Sequence, residues 1–213
     1  MGYYFGDHTV SVGKSLLTHR AKWLYLFSYR KAGMGAGDII QLRVGNIGRK
    51  INRLVYEMDK TGKKMSLNLS EGDWAILRKF YDRQINKRPK YAYLFGLLDD
   101  DAPYARYVSQ AEKSKMSRED EAALYNKLAA CLVLINQNLK VLAEKIGVEG
   151  RLTFHTARHS FADKARRRMK ETKNISIDDI RSALGHTSLA TTQRYLASFD
   201  EEGLDLAMDA VFE

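Results

Sequence analysis

Proline and cysteine are almost missing from this chain. Only Pro89 and Pro103 occur in 213 residues, so long helices are permitted almost everywhere. Cys131 is the single cysteine, which excludes an internal disulfide framework and a cysteine-based zinc site. It lies in the apolar run Ala129–Ile135 (AACLVLI), where a small buried hydrophobe is the expected role. The longest apolar runs reach about seven residues, far short of the ~20 that a membrane-spanning helix needs. The start, Met1-Gly2-Tyr3-Tyr4, carries no secretory pattern. There is no phosphate-binding glycine loop, no Cys/His cluster, no internal repeat and no low-complexity linker. Residues 1–213 therefore read as one domain in a reducing cytoplasm, with no metal and no cofactor expected.

What is abundant is positive charge. Lys and Arg total 35 against 26 Asp and Glu, a net charge of +9. A basic chain of this size favours an anionic partner such as nucleic acid or an anionic membrane.

Apolar spacing predicts a mainly α fold with a small antiparallel β-sheet (α+β). Lys14–Tyr29 has one apolar face, with Leu16, Leu17, Trp23, Leu24, Leu26 and Phe27. A glycine-rich break (Ala32–Gly37) precedes a short helix from about Gly37 through Leu42. Leu54, Tyr56 and Met58 alternate with polar neighbours, as do Met65, Leu67 and Leu69. The turn Asp59-Lys60-Thr61-Gly62-Lys63 between them predicts a β-hairpin with Lys60 near its tip. Glu71–Ile85 reads as helix, Tyr91–Leu98 as an apolar segment after a loop, and Asp99-Asp100-Asp101 as a solvated loop. Ser117 caps a helix that Gly147 closes after Ile146. Several short helices follow, and Phe199–Phe212 has the spacing of an amphipathic helix.

Two segments carry groups suited to chemistry. In Leu152–Met169 (LTFHTARHSFADKARRRM), a helix would put His155, Arg158 and His159 on one face. Imidazole transfers protons near neutral pH, and guanidinium offers a fork for phosphate oxygens. A solvated basic helix accounts for Lys164, Arg166, Arg167, Arg168 and Lys170, but poorly for histidines set among apolar residues. In Ile175–Leu196 (ISIDDIRSALGHTSLATTQRYL), Ser176 caps one helix, Gly185 ends it, and Thr187 or Ser188 caps the next, which holds Tyr195. A phenol is a poor nucleophile while protonated (pKa ~10), and neighbouring cations favour the phenolate. A lone helical tyrosine is ordinarily packing.

The neighbours change its weight. His155-x-x-Arg158-His159, then Leu184-Gly185-His186, then Tyr195 nine residues after His186, strongly resemble the tyrosine recombinase (phage integrase) family. The hairpin DKTGKK resembles the family's hairpin lysine, which falls on Lys60. The stretch from Lys14 to Ile47 resembles its N-terminal box. The resemblance implies a catalytic domain that cuts and rejoins double-stranded DNA without metal or ATP. Tyr195 would be the nucleophile, Arg158 would hold the phosphate, His155 and His186 would assist, and Lys60 would protonate the leaving 5′-oxygen. Lys63, Lys64, His159, Lys164, Arg166 and Arg167 are the expected DNA contacts. It also implies a homotetramer on paired sites. No segment resembles the family's separate N-terminal DNA-binding domain, so a catalytic fragment is expected.

One position departs from the pattern. Where the family usually has its first catalytic arginine, this chain has Gly35. Two other readings therefore stand beside the recombinase. One is a helix-turn-helix DNA-binding protein built on Ile177–Leu196, and the other is a recombinase-like protein that cleaves little. Type IB topoisomerases share the chemistry and are the nearest enzymatic alternative.

Overall fold

Residues 10–48, 52–80, 88–148, 150–172 and 174–199 are described by the computed structural model, with side chains from Thr18 onward. In chain order come α1 (Val10–Arg30), α2 (Ala36–Gln41), β1 (Ile47–Gly48), β2 (Arg53–Glu57), β3 (Lys64–Asn68) and α3 (Glu71–Leu77). Beyond the 3-10 turn Pro103–Arg106 follow α4 (Gln110–Lys113), α5 (Arg118–Ile146), α6 (Thr156–Thr172), α7 (Ile177–Leu184) and α8 (Leu189–Ala197). The mainly helical chain with one small antiparallel sheet agrees with the periodicities.

Local signals account for most boundaries. Ser117 Oγ accepts the Asp120 amide at 3.1 Å, three acids occupy the first turn of α5, and Gly147 closes it at φ 67°. Ser176 and Asp179 form a reciprocal capping box on α7, and Gly185 ends that helix at φ 72°. The hairpin pairs Leu54 with Leu67 and Tyr56 with Met65, so one face is buried while Val55 and Ser66 face outward. A two-residue edge strand, β1, adds a third member that alternation over so short a span does not reveal. The helix expected over Glu71–Ile85 stops at Leu77, where the Lys79 and Phe80 amides turn to i−3 carbonyls; residues 81–87 lie outside the described set. Asp100, expected in a solvated loop, is half-buried and accepts the Tyr93 amide at 2.6 Å and Arg88 at 2.9 Å. The tail beyond Phe199 lies outside the described residues.

Two hydrophobic clusters result. The larger joins α1, α2, the sheet, α3, the Ala92–Leu98 segment and α5 around Leu24, Phe27, Ile39, Leu54, Phe95 and Leu139. Each such side chain contributes about 1.5–3 kcal/mol over exposure. The smaller joins α6, α7 and α8 through Ala162, Ile180, Leu184 and Leu196. Helix α6 packs on α1 as well as on α7 and α8, so its first turn lies along the seam between the clusters. Among the described residues no helix is long and apolar enough to cross a membrane.

Candidate active site

Arg158 sits in the first turn of α6 and is tied to both sides of the seam. Its guanidinium donates to the Gly33 carbonyl at 3.4 Å and to the Leu184 carbonyl at 2.5 Å. Gly33 adopts φ +67°, and a Cβ there would lie 2.3 Å from Arg158 Cα, so only glycine lets this turn close on the helix. Burial disfavours the Arg158 charge, while Tyr195, Tyr56 and Asp38 favour it. Among the described residues these two carbonyls are the hydrogen-bond acceptors of its fork.

Tyr195 reaches the same place from α8. Its Oη lies 2.9 Å from His159 Nδ1, and Phe199 packs edge-on against both rings, at 5.3 and 5.6 Å. Burial raises the phenol's pKa, and the charge of Arg158 pulls against that rise. His186 follows Gly185 directly and stands edge-on to Tyr195 at 5.9 Å. Its Nδ1 is 2.9 Å from Oγ1 of Thr192, which is fully buried and orients the ring. His155 lies one residue before α6 rather than within it, yet still meets His159 edge-on at 4.6 Å. Burial first lowers the pKa of both His155 and His186, and the charge of Arg158 acts on both in the same direction.

The hairpin comes down on the Gly185 turn. A Cβ on Gly185 would meet Met58 Sδ at 2.3 Å, and the positive charge of Lys63 is felt at His186. Lys60 occupies the exposed hairpin turn, Lys63 is half-buried and Lys64 is exposed.

The phage integrase family model matches residues 14–202 of this sequence. The chain belongs to the phage integrase (tyrosine recombinase) family. A solved structure, described as the crystal structure of XerA recombinase, matches with a TM-score of 0.53 and 19% identity. That match covers 91% of this chain and 61% of the other, so the chain spans about three-fifths of that recombinase's length. No curated protein sequence matches it.

For this integrase family member the structure brings Tyr195, Arg158, His155 and His186 together and sets the Lys60 hairpin beside them. Two expected DNA contacts are relocated. His159 is half-buried and partners the Tyr195 hydroxyl at 2.9 Å. Arg166 is only 4% exposed and pairs with Asp163 at 3.2 Å, so it is held inside the fold. Arg167 also pairs with Asp163, at 3.0 Å, but remains on the surface with the exposed Lys164.

The cations near Gly35 do not stand in for an arginine there. Arg30 and Lys31 both bind Asp73 at 2.7 Å, and Lys31 also donates to the Asn68 carbonyl. Arg43 is buried against Tyr93 and donates to the carbonyls of Tyr91, Ala105 and Tyr107. Sequence reasoning missed Asp38, three residues past Gly35. It accepts the Asp59 amide at 2.7 Å, burial raises its pKa, and its charge reaches Arg158. In sequence it is indistinguishable from any acid in a helix's first turn.

Proposed function

We propose that this chain cleaves and rejoins double-stranded DNA through a covalent 3′-phosphotyrosyl link at Tyr195. The observation that carries the reading is the meeting of Tyr195, Arg158, His155 and His186 at one seam, with Arg158 held by a carbonyl from each side.

Tyr195 Oη attacks the phosphorus, and the P–O5′ bond breaks. The phenolic proton passes to Nδ1 of His159, 2.9 Å away, in the tautomer that leaves that nitrogen free to accept it. Arg158, with His155 and His186, stabilises the charge that builds on the non-bridging oxygens. Lys60 supplies a proton to the departing 5′-oxygen. A 5′-hydroxyl from a second strand reverses the sequence, so the bond energy is conserved in the covalent link and no metal or ATP enters. Lys63, Lys64, Lys164 and Arg167 contact the DNA backbone, which makes binding steeply salt-dependent. The working form is a tetramer on two sites, in the cytoplasm where the DNA is.

Covalent trapping tests the reading. Nicked suicide duplexes incubated with the chain yield a protein–DNA adduct that survives denaturation, and Tyr195→Phe yields none. A helix-turn-helix regulator gives no adduct with either protein. Relaxation of unpaired supercoiled plasmid separates topoisomerase from recombinase behaviour. A second reading, binding with little cleavage, is favoured by one observation: Gly35 is exposed, and Arg30, Lys31 and Arg43 are all engaged elsewhere.

A further inference from the structure

Lys60 must place its ammonium at a reacting oxygen, yet among the described residues nothing pairs with that ammonium. Its placement therefore comes through the backbone. The turn is six residues long, Met58–Lys63, and its own bonds are few: Met58 to Lys63, Gly62 to Met58, and a long Lys63–Thr61 contact. Its other polar ties run through Asp59, the residue before Lys60. The Asp59 amide donates to Asp38 Oδ1 at 2.7 Å. Its carboxylate accepts Lys113 Nζ at 2.7 Å and Gln110 Nε2 at 3.0 Å, and its carbonyl accepts Gln110 at 3.3 Å. Lys113 in turn donates to Gln41 Oε1 at 2.7 Å.

Asp59 is thus moored to two separate helices, α2 through Asp38 and α4 through Gln110 and Lys113. Burial works against the Asp59 charge, but the hydrogen bonds and charge of Lys113 outweigh it and hold the carboxyl below its ordinary range. Beside this mooring lies a cavity of about 400 Å³, which Asp38, Gln41, Tyr56, Asp59 and Lys113 help to line. Met58 anchors the start of the turn by packing on the core and the Gly185 turn, whereas polar ties hold it at Asp59, so releasing those gives the stretch from Asp59 to Gly62 room to move.

We propose that Asp59 is the positioning residue for Lys60, with Lys113 and Gln110 of α4 as its posts. This rests on the reading of Lys60 as the group that protonates the 5′-oxygen. A lysine on a loose turn spreads its ammonium over many positions, and fixing the neighbouring backbone removes that entropy before the reaction begins.

The test uses a duplex recovered from a randomised pool by covalent capture on the chain. It is made in two forms, with ordinary DNA and with sulfur replacing the bridging 5′-oxygen. A thiolate leaves without protonation, so it bypasses Lys60. Lys60→Ala is expected to cleave ordinary DNA about 10²–10³-fold more slowly, in the range of a lost general acid. Asp59→Ala and Lys113→Met are each expected to slow it about tenfold or more. On the sulfur substrate all three return to within about threefold of the unaltered chain. In both Asp59→Ala and Lys113→Met the Gly62 amide exchanges hydrogen faster while the β2–β3 amides do not change.

A deficit in Asp59→Ala and Lys113→Met that persists on sulfur, while Lys60→Ala is rescued, overturns the inference and leaves Lys60 its role. Unchanged Gly62 exchange in both variants overturns it too. A Lys60→Ala deficit that sulfur does not rescue, or no adduct from the unaltered chain, overturns the reading beneath it. If Asp59→Ala fails to fold, Lys113→Met decides, because it leaves Asp59 its bonds to Asp38 and Gln110.

Discussion

The hydroxyl of Tyr195 lies 2.9 Å from Nδ1 of His159, across 36 residues of chain. The contact joins α8 to α6, and Phe199 covers both rings. Tyr195 is half-buried, and burial raises its pKa, so its proton needs an acceptor before the oxygen can attack. Nδ1 of His159 is within hydrogen-bond reach of that hydroxyl, which makes it the base under the proposed chemistry in the tautomer that leaves Nδ1 unprotonated.

His159→Ala is therefore expected to slow adduct formation on a suicide duplex by about 10²-fold, within the usual range for a lost general base. His159→Asn keeps a polar group near the phenol but cannot hold the proton, so it should not restore the rate. Single-turnover trapping measures both. A rate within threefold of the unaltered chain in His159→Ala removes His159 from the mechanism.

Gly33 and Arg158 make a second prediction. At φ +67°, alanine is strained at position 33, and its Cβ would overlap Arg158 Cα and side chain at 2.3–2.8 Å. Gly33→Ala should cost about 1–3 kcal/mol of stability and lose cleavage beyond that, because Arg158 is pushed from its two carbonyls. Denaturant midpoints and trapping rates, measured on the same folded sample, separate the effects. Normal trapping by a destabilised variant means that the contact serves folding alone.

Why some of this was legible in sequence and some was not follows from distance along the chain. Ser117, Gly147, Ser176 and Gly185 act on backbone groups within four residues, so the ends of α5 and α7 could be read locally. Leu54, Tyr56, Met65 and Leu67 alternate, so the hairpin could be read, while its register came only with the structure. The spacing of His155, Arg158, His186 and Tyr195 carried the family. Arg166 misled because a run of cations looks solvated, and only the packing of α6 shows one of them turned inward onto Asp163. The links from Asp59 to Asp38, Gln110 and Lys113 span 21 to 54 residues, and no local pattern encodes them.

The two histidines at the seam predict a pH dependence. Burial, then positive neighbours, hold His155 and His186 below the ordinary histidine value of ~6.5. In the window below ~6.5 the unfolded chain therefore binds more protons on these rings than the folded chain. Stability rises with pH across that window and falls as pH drops through ~6.5. Both rings touch solvent, so the slope is shallow. The urea midpoint should fall between pH 7.5 and 5.5, and the double variant His155→Gln/His186→Gln should flatten the fall. An equal slope in the double variant would falsify the assignment.

Gly35 gives the prediction on which full activity turns. It caps α2 at φ −61°, ψ 154°, a conformation open to any residue, and it is exposed. A Cβ built there meets only Asp38 Oδ2, at 3.5 Å. Gly35→Arg should therefore leave stability within about 0.5 kcal/mol, as for most surface changes. The new guanidinium starts beside Asp38, whose charge is already felt at Arg158. It thus adds a second fork near the oxygens that Arg158 is proposed to hold. Losing one such preorganised donor typically costs ~10²–10³ in rate, so gaining one should raise adduct formation by up to that factor. The nearby cations cannot mask the effect: Arg30 and Lys31 are held by Asp73, and Arg43 by backbone carbonyls. A flat or lower trapping rate in a folded Gly35→Arg variant means that Arg158, His155 and His186 suffice. The glycine then belongs to a working site rather than a weakened one.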